Sequence, residues 1–153
     1  MLNGVDIILP TPKRKKGEKN SLYNTIEKLE EDPSYKSLKM AISKVFPDYL
    51  TELKAVFMDK KMPFGNILVT SKKIFDDYSE WLFAILNQVE KDYACEKREI
   101  EPRKMGFLSE WLLNVWVRHN NLRVRYVPVH ATESKKNVKY FMKVLLERFG
   151  YTV

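Results

Sequence analysis

The sequence has few of the residues from which cofactor sites are commonly built. Its 153 residues include one cysteine, two histidines and five glycines. Cys95 cannot form an internal disulfide and has no companion at metal-ligand spacing, which argues against a disulfide framework and a structural zinc site. Neither a G-x-G-x-x-G pattern nor a P-loop occurs, so the sequence argues against a nucleotide site of either type. We predict no metal site and no cofactor bound by this chain alone.

Long hydrophobic runs and secretion signals are also missing. There is no run of about eighteen apolar residues and no cationic leader with a cleavage site, which predicts a cytoplasmic protein. A chain of 153 residues fits a single domain, 1–153. The net charge of +7 and the pI of about 9.4 favour acidic partners, namely nucleic acid, anionic lipid headgroups or a phosphorylated substrate. Charge alone does not choose among them.

Hydrophobic periodicity predicts short strands separated by amphipathic helices. Residues 5–9 predict a buried strand, residues 66–70 a central strand, and residues 122–128 a strand exposed on one side. Helices are predicted from residue 20 or 21 to about 31, from 33 with Asp32 as N-cap, after Pro47, after Ser71, over about 105–118 and over about 133–149. Residues 13–19 and 95–102 are predicted to be charged loops. The predicted fold is α/β, a small mixed sheet packed with several amphipathic helices.

The helix over 105–118 carries the most unusual carboxylate of the chain. Glu110, Asn114 and Arg118 form a polar stripe at i, i+4 and i+8 on a helix otherwise built of large apolar residues. Burial beside Trp111 would raise the pKa of Glu110 towards that of a general base. A solvated stripe with modest i, i+4 contacts is the alternative, which the residues alone favour.

Other candidate residues have structural interpretations. The tryptophans could stack on sugar or base rings, but their helical spacing predicts core positions for Trp81, Trp111 and Trp116. Asp76 and Asp77 point about 100° apart on a helix, so a solvated face is favoured over a metal pair. His119 is expected at a helix C-terminus and His130 in a loop.

A basic strand with interleaved aromatic residues would favour nucleic acid as the partner. The residues that come nearest to this pattern are Arg123, Arg125 and Tyr126. No RNA-binding or DNA-binding motif accompanies them. The hypothesis of a nucleic-acid partner therefore rests on charge alone and is not favoured.

Three blocks of sequence are informative together. They are Asp6 to Pro10, Gly65 to Val69 with Phe75 to Leu86, and Arg103 to Trp116 followed by Val127 to Val129. In this order they resemble a bacterial glycosyltransferase-like family. Tyr78, Trp81, Leu82 and Phe83 match a Tyr-x-x-Trp-Leu-Phe helix, and Gly106, Phe107, Ser109 and Glu110 match a Gly-Phe-x-Ser-Glu block. The family is a domain of unknown function found in capsular and exopolysaccharide biosynthesis proteins. The match spans about residues 5–130 and resembles the C-terminal half of that domain, with 131–153 as a C-terminal amphipathic helix.

The resemblance implies a partial GT-A-like fold, that of nucleotide-diphospho-sugar transferases, and transfer of a sugar from a nucleotide-diphospho-sugar donor to a growing saccharide. It implies a truncated or split domain that carries the acceptor side, with an upstream N-terminal half as partner and contact with the inner face of the membrane. By resemblance Glu110 is the candidate base or acceptor-orienting group, Arg103 a cation near the diphosphate and Asn66 a hydrogen-bonding group at a strand end. Ser109 and Asn114 are further substrate-binding candidates. The alternative is a non-catalytic basic module that binds an acidic polymer or an anionic membrane surface.

Overall fold

A computed structural model describes residues 4–14, 26–97, 99–101 and 103–129. It shows a small mixed sheet packed with amphipathic helices, so the predicted α/β class is confirmed. The predicted C-terminal helix over 133–149, His130 and the start of the first helix lie outside the described residues.

Short strands and groups of helices alternate along the described parts of the chain. They are β1 (Ile7–Pro10), β2 (Lys13–Arg14), α1 (Ile26–Glu31), α2 (Pro33–Val45), a 3-10 turn (Pro47–Tyr49), α3 (Leu50–Met58), β3 (Lys61–Met62), β4 (Val69–Thr70), α4 (Lys72–Cys95), α5 (Lys104–His119) and β5 (Val124–Val127). The helix that contains Glu110 thus extends one residue beyond its predicted range at each end.

The main sheet has three strands in the order β4-β1-β5. β1 runs parallel to β5 and antiparallel to β4, with Ile8 opposite both Val69 and Arg125. β2 and β3 form a separate antiparallel ribbon in which Lys13 lies opposite Met62. The parallel pair β1 and β5 therefore brings the ends of two distant strands to one edge of the sheet.

Two predictions about the positions of strands were wrong. The run 66–70 was expected to be a central strand, but β4 contains only Val69 and Thr70 and lies at an edge of the described sheet. Ile67 and Val69 are 50% and 57% exposed, and the described strands pair with β4 on one side only. Lys13 and Arg14, expected in a loop, form β2.

The predicted starts of α2 and α4 are confirmed, and each has a side-chain cap. The Asp32 side chain accepts hydrogen bonds from the backbone nitrogens of Ser34 and Tyr35, both at 2.8 Å, and Pro33 begins α2. The Ser71 hydroxyl accepts from the Ile74 nitrogen at 3.3 Å and caps α4. Because these caps satisfy backbone donors that helical bonds leave free, they fix where each helix begins.

The core lies between one face of β1 and helices α2 to α5. Ile7 and Leu9 on β1 are almost fully buried. α4 buries most of the predicted stripe, including Tyr78, Trp81, Ile85 and Val89. On its exposed side Asp76 and Asp77 pair with Lys72 and Lys73, which confirms the solvated face.

The tryptophans belong to the core, as predicted. Trp81 and Trp116 are buried, and both rings pack near Tyr78. Trp111 is half-buried and stacks on Phe57, with ring centroids 3.8 Å apart. This stacking joins α3 to α5 and fixes the side of α5 that faces solvent.

Candidate functional site

The outward face of α5 carries the residues predicted for the site. Leu108, Leu112 and Val115 on the other side of the helix are fully buried. Outward lie the exposed Arg103, Gly106, Phe107 and Arg118 and the half-buried Glu110 and Asn114. Residues at i, i+3 and i+4 spacing share a helix face, so the sequence forms a continuous stripe along α5.

Glu110 lies between the two predicted environments, because it is half-buried. Among the described residues its carboxylate makes no hydrogen bond and no ion pair. Its backbone carbonyl accepts a hydrogen bond from the Asn114 side chain at 2.8 Å. The Glu110 carboxylate is therefore uncommitted, meaning that no described residue bonds to it, while the Glu110 backbone is held by Asn114.

Residues 59–66, here called the anchor loop, run antiparallel to α5. The anchor loop is held by contacts between Arg118 and Asp59 at 2.9 Å, Asn114 and the Pro63 carbonyl at 3.3 Å, and Asn66 and the Ser109 hydroxyl at 2.6 Å. Gly65 takes a positive φ of 79°, which glycine adopts readily and which lets the loop turn between its last two anchors. The loop thus brings residues distant in sequence to the outward face of α5.

Ser109 and Asn66, both predicted to bind substrate, are brought together in the structure. Ser109 is 6% exposed, and its hydroxyl donates to the Gly106 carbonyl at 2.7 Å while accepting from Asn66. These bonds hold the anchor loop against α5. A direct contact of either residue with substrate stays a prediction.

Arg103 is placed apart from Glu110. Its guanidinium carbon lies 5.6 Å from the centroid of the Phe107 ring, a cation-π contact one helical turn away. No ion pair joins Arg103 to Glu110. The structure therefore gives Arg103 an aromatic neighbour that the sequence interpretation had not considered.

A cleft of about 430 Å³ lies between β5, the anchor loop and the C-terminal part of α5. It is lined by Leu9, Pro12, Val56, Asp59, Lys61, Met62, Pro63, Asn114, Val117, Arg118, Asn121, Leu122, Val124 and Tyr126. Of the residues predicted for the site, the cleft wall includes Asn114, which also hydrogen-bonds to the Glu110 backbone.

The cleft combines cations, amides and an aromatic ring. Lys61 has no ion-pair partner among the described residues, whereas Arg118 is paired with Asp59. The ring of Tyr126 is 49% exposed. Such a lining suits a ligand with a ring, hydroxyl groups and a negative charge. Sequence reasoning missed Lys61 and Asn121, because neither lies in a recognisable motif, and considered Tyr126 only for nucleic acid.

The basic strand β5 is partly neutralised. Arg123 donates from its side chain to both carboxylate oxygens of Asp6, at 2.8 and 2.9 Å. This hydrogen bonding, with a further bond from the Arg123 backbone, lowers the pKa of Asp6 from 3.8 to about 2. An arginine engaged in this way is a weaker site for a phosphate backbone.

His119 lies at the C-terminus of α5, where it was predicted. Its ring stacks on Tyr49, with centroids 3.6 Å apart, and its Nδ1 atom lies 3.2 Å from a Glu52 carboxylate oxygen. These contacts join α5 to α3. They assign His119 to the packing of the helices.

Within the described parts of the chain, no three histidine, cysteine, aspartate or glutamate side chains cluster closely enough to hold a metal ion. None of the described helices combines the length and the apolar character needed to span a bilayer.

Comparison with known proteins places this chain among glycosyltransferase-like α/β proteins. The structure is similar to the apo structure of the bifunctional glycosyltransferase WbbM, with a TM-score of 0.65 and 25% sequence identity over 83% of this chain. The chain spans 24% of the length of that protein. It belongs to the family described as Domain of unknown function (DUF4422), which matches residues 1–121. No curated protein matches the sequence. The predicted glycosyltransferase-like family is thereby confirmed.

Proposed function

We propose that this protein takes part in sugar transfer during capsular or exopolysaccharide biosynthesis and contributes the acceptor side of the reaction. The observation that carries the proposal is the uncommitted carboxylate of Glu110, one turn from Asn114 in the wall of the cleft. Similarity to a bifunctional glycosyltransferase supports sugar transfer as the reaction class. A nucleotide-diphospho-sugar donor and a saccharide acceptor are the substrates that this class implies.

Glu110 acts as the base in this proposal. Its carboxylate accepts the proton of an acceptor hydroxyl while the hydroxyl oxygen forms a bond to the anomeric carbon of the donor sugar. The bond from that carbon to the nucleotide diphosphate breaks, and the diphosphate leaves with the bonding electron pair. Asn114 positions Glu110 through its backbone, and Arg103 packs against the Phe107 ring on the acceptor side.

Substitution of Glu110 by glutamine tests the role of the base. Glu110→Gln preserves shape and removes the proton acceptor, so turnover should fall by roughly 10²- to 10⁴-fold while the thermal midpoint stays unchanged. Glu80→Gln, an exposed glutamate on α4, is the matched control. Transfer is measured by mass spectrometry of saccharide products, with a panel of nucleotide sugars with and without manganese. Unchanged transfer in Glu110→Gln would rule out its role as a base.

Calorimetric titration of the same nucleotide sugars gives a second, independent measurement. We expect heats of binding that Glu110→Gln alters little, since the substitution removes a proton acceptor and not a donor-binding group. Absence of binding to every nucleotide sugar and every saccharide would contradict the proposed function. Steeply salt-dependent binding to nucleic acid or anionic vesicles, with no response to sugars, would instead establish the basic binding module.

A further inference from the structure

The aromatic side chain best placed to contact a saccharide is Phe107. The tryptophans lie in the core, whereas Phe107 is 53% exposed and lies one turn before Glu110 on the same face of α5. A single exposed aromatic residue is common at protein surfaces and identifies no site by itself. Two further features of the surface around Phe107 favour a contact with a ligand.

The first feature is the glycine beside it. Gly106 lies within α5, where glycine is less favourable than alanine because it loses more conformational freedom on folding. A Cβ atom added at Gly106 would meet no other atom within 4 Å, and the φ of Gly106 is not positive. Neither packing nor backbone conformation therefore requires glycine here. Its effect is to leave the outward surface beside Phe107 and one turn before Glu110 clear of a side chain.

The second feature is the support of the Phe107 ring. The guanidinium of Arg103 lies 5.6 Å from the ring centroid, one turn towards the N-terminus of the helix. A cation in this position is attracted to the face of the aromatic ring. Phe107 is a large apolar side chain, and its ring is nevertheless exposed and open to a ligand.

We propose that Arg103, Gly106, Phe107 and Glu110, together called the platform, bind one pyranose ring of a saccharide. The apolar C–H face of the sugar stacks on Phe107, the space over Gly106 admits the ring, and Glu110 accepts a hydrogen bond from a sugar hydroxyl. The inference rests on the proposed function and names Phe107 and Gly106 as its acceptor-binding residues. The chemistry fits a saccharide because an aromatic surface next to a carboxylate matches a ring with an apolar face and hydroxyl edges.

A protein partner fits the platform less well. Stable protein interfaces bury about 800 Å² on each partner and usually have an apolar centre. One phenylalanine flanked by an arginine, a glycine and a glutamate offers much less apolar surface. The platform has the size and the mixed polarity of a site for a single sugar ring.

Gly106→Ala separates stability from binding. Alanine should raise the thermal midpoint by about 1–4 °C, because it is the better helix former and meets no clash. The same substitution should weaken saccharide binding severalfold, since the methyl group occupies the cleared surface. A structural role for Gly106 would produce the opposite result, with a lowered midpoint and unchanged binding.

Substitutions of Phe107 test the stacking itself. Phe107→Leu should weaken binding by about three- to tenfold, whereas Phe107→Trp keeps an aromatic surface and should retain it. Phe83→Leu, at an exposed phenylalanine on α4, is the matched control and should change nothing. All the variants lie at exposed positions, and circular dichroism verifies that each one is folded.

The probes are methyl glycosides of galactose, glucose and mannose and their disaccharides, followed by saturation-transfer and chemical-shift NMR. Binding that survives both Phe107→Leu and Gly106→Ala would overturn the platform, as would the failure of every probe to bind the wild-type protein. Because binding is measured without transfer, the outcome is distinct from that of the Glu110→Gln experiment. Loss of saccharide binding in Phe107→Leu, with nucleotide-sugar heats unchanged, would support the platform even if Glu110 proved not to be the base.

Discussion

Truncation of Phe57 to alanine tests the packing that orients α5. Phe57 is 1% exposed, stacks on Trp111 with an interplanar angle of 14°, and meets the Tyr35 ring edge-on at 5.2 Å. It therefore connects α3 with α5 and α2. Removing the ring forfeits both aromatic contacts and opens a cavity among residues that are themselves buried. Phe→Ala at such sites costs about 3–5 kcal/mol.

This loss is large compared with the stability of an ordinary domain, about 5–15 kcal/mol. For a chain of about 150 residues each kcal/mol changes the thermal midpoint by about 2–4 °C, so Phe57→Ala should lower it by about 6–20 °C. Trp111 is the neighbour of Glu110, and a loosened stack would let α5 rotate. Any transfer activity should therefore decline as well, at temperatures where the variant is still folded.

The measurement is urea denaturation followed by far-ultraviolet circular dichroism, with a thermal scan of each variant. Phe83→Ala is the control, because Phe83 is the same residue type at 59% exposure and its truncation should stay within about 0.5 kcal/mol of the wild type. Equal effects at the two positions, or a cost below about 1 kcal/mol for Phe57→Ala, would refute the described packing of α3 on α5.

Two further predictions concern the anchor loop and the sheet. A double-mutant cycle of Asn66→Ala and Ser109→Ala, measured by urea denaturation, should give a coupling of about 0.5–1.5 kcal/mol from their 2.6 Å bond, and additive effects would deny the contact. Asp6→Asn should make the free energy of unfolding depend less on pH in acid. The pKa of Asp6 is about 2 in the folded protein against an ordinary 3.8, so in the wild type the ionised carboxylate stabilises the fold above pH 3.8, and this stabilisation is lost as the pH falls towards 2. Thermal midpoints between pH 2 and pH 7 test this, and parallel curves for the two proteins would contradict it.

The helices and their caps could be predicted because their signals are local. Asp32 followed by Pro33 and Ser71 before an amphipathic stretch each act on backbone groups within three residues, so the sequence identifies cap and helix together. The stripe that contains Glu110 follows from the helical period in the same way. The burial of Trp81 and Trp116 could be predicted for that reason as well.

The position of β4 depends on partners that an apolar run does not specify. Residues 66–70 have the pattern of a strand buried on both faces, but β1 takes the centre because it pairs with β4 on one side and β5 on the other. The register joins residues more than sixty positions apart, as Ile7 lies opposite Thr70 and Val124. Local pattern indicated a strand there but not its neighbours.

The same limit applies to the site. The stripe on α5 could be predicted, but the anchor loop is held by contacts between residues 43, 51 and 59 positions apart in the chain. Lys61 enters the cleft only through this arrangement, since nothing in its neighbourhood of sequence marks it. Phe107 was matched to the family block, yet its exposure depends on how α5 is rotated by the Phe57 and Trp111 stack.

The spacing along α5 relates the platform to the cleft. At 1.5 Å per residue, Glu110 lies about 4.5 Å along the helix axis from Phe107 and about 6 Å from Asn114. In the proposed arrangement, a sugar ring stacked on Phe107 therefore presents a hydroxyl at the level of Glu110. The wall of the cleft, which includes Asn114, lies one turn further along the helix. A base of glycosyl transfer has to lie between the acceptor and the donor. Under the proposed function, with the donor in the cleft, the order Phe107, Glu110, Asn114 meets this requirement on a single helix face, because each step is one helical turn.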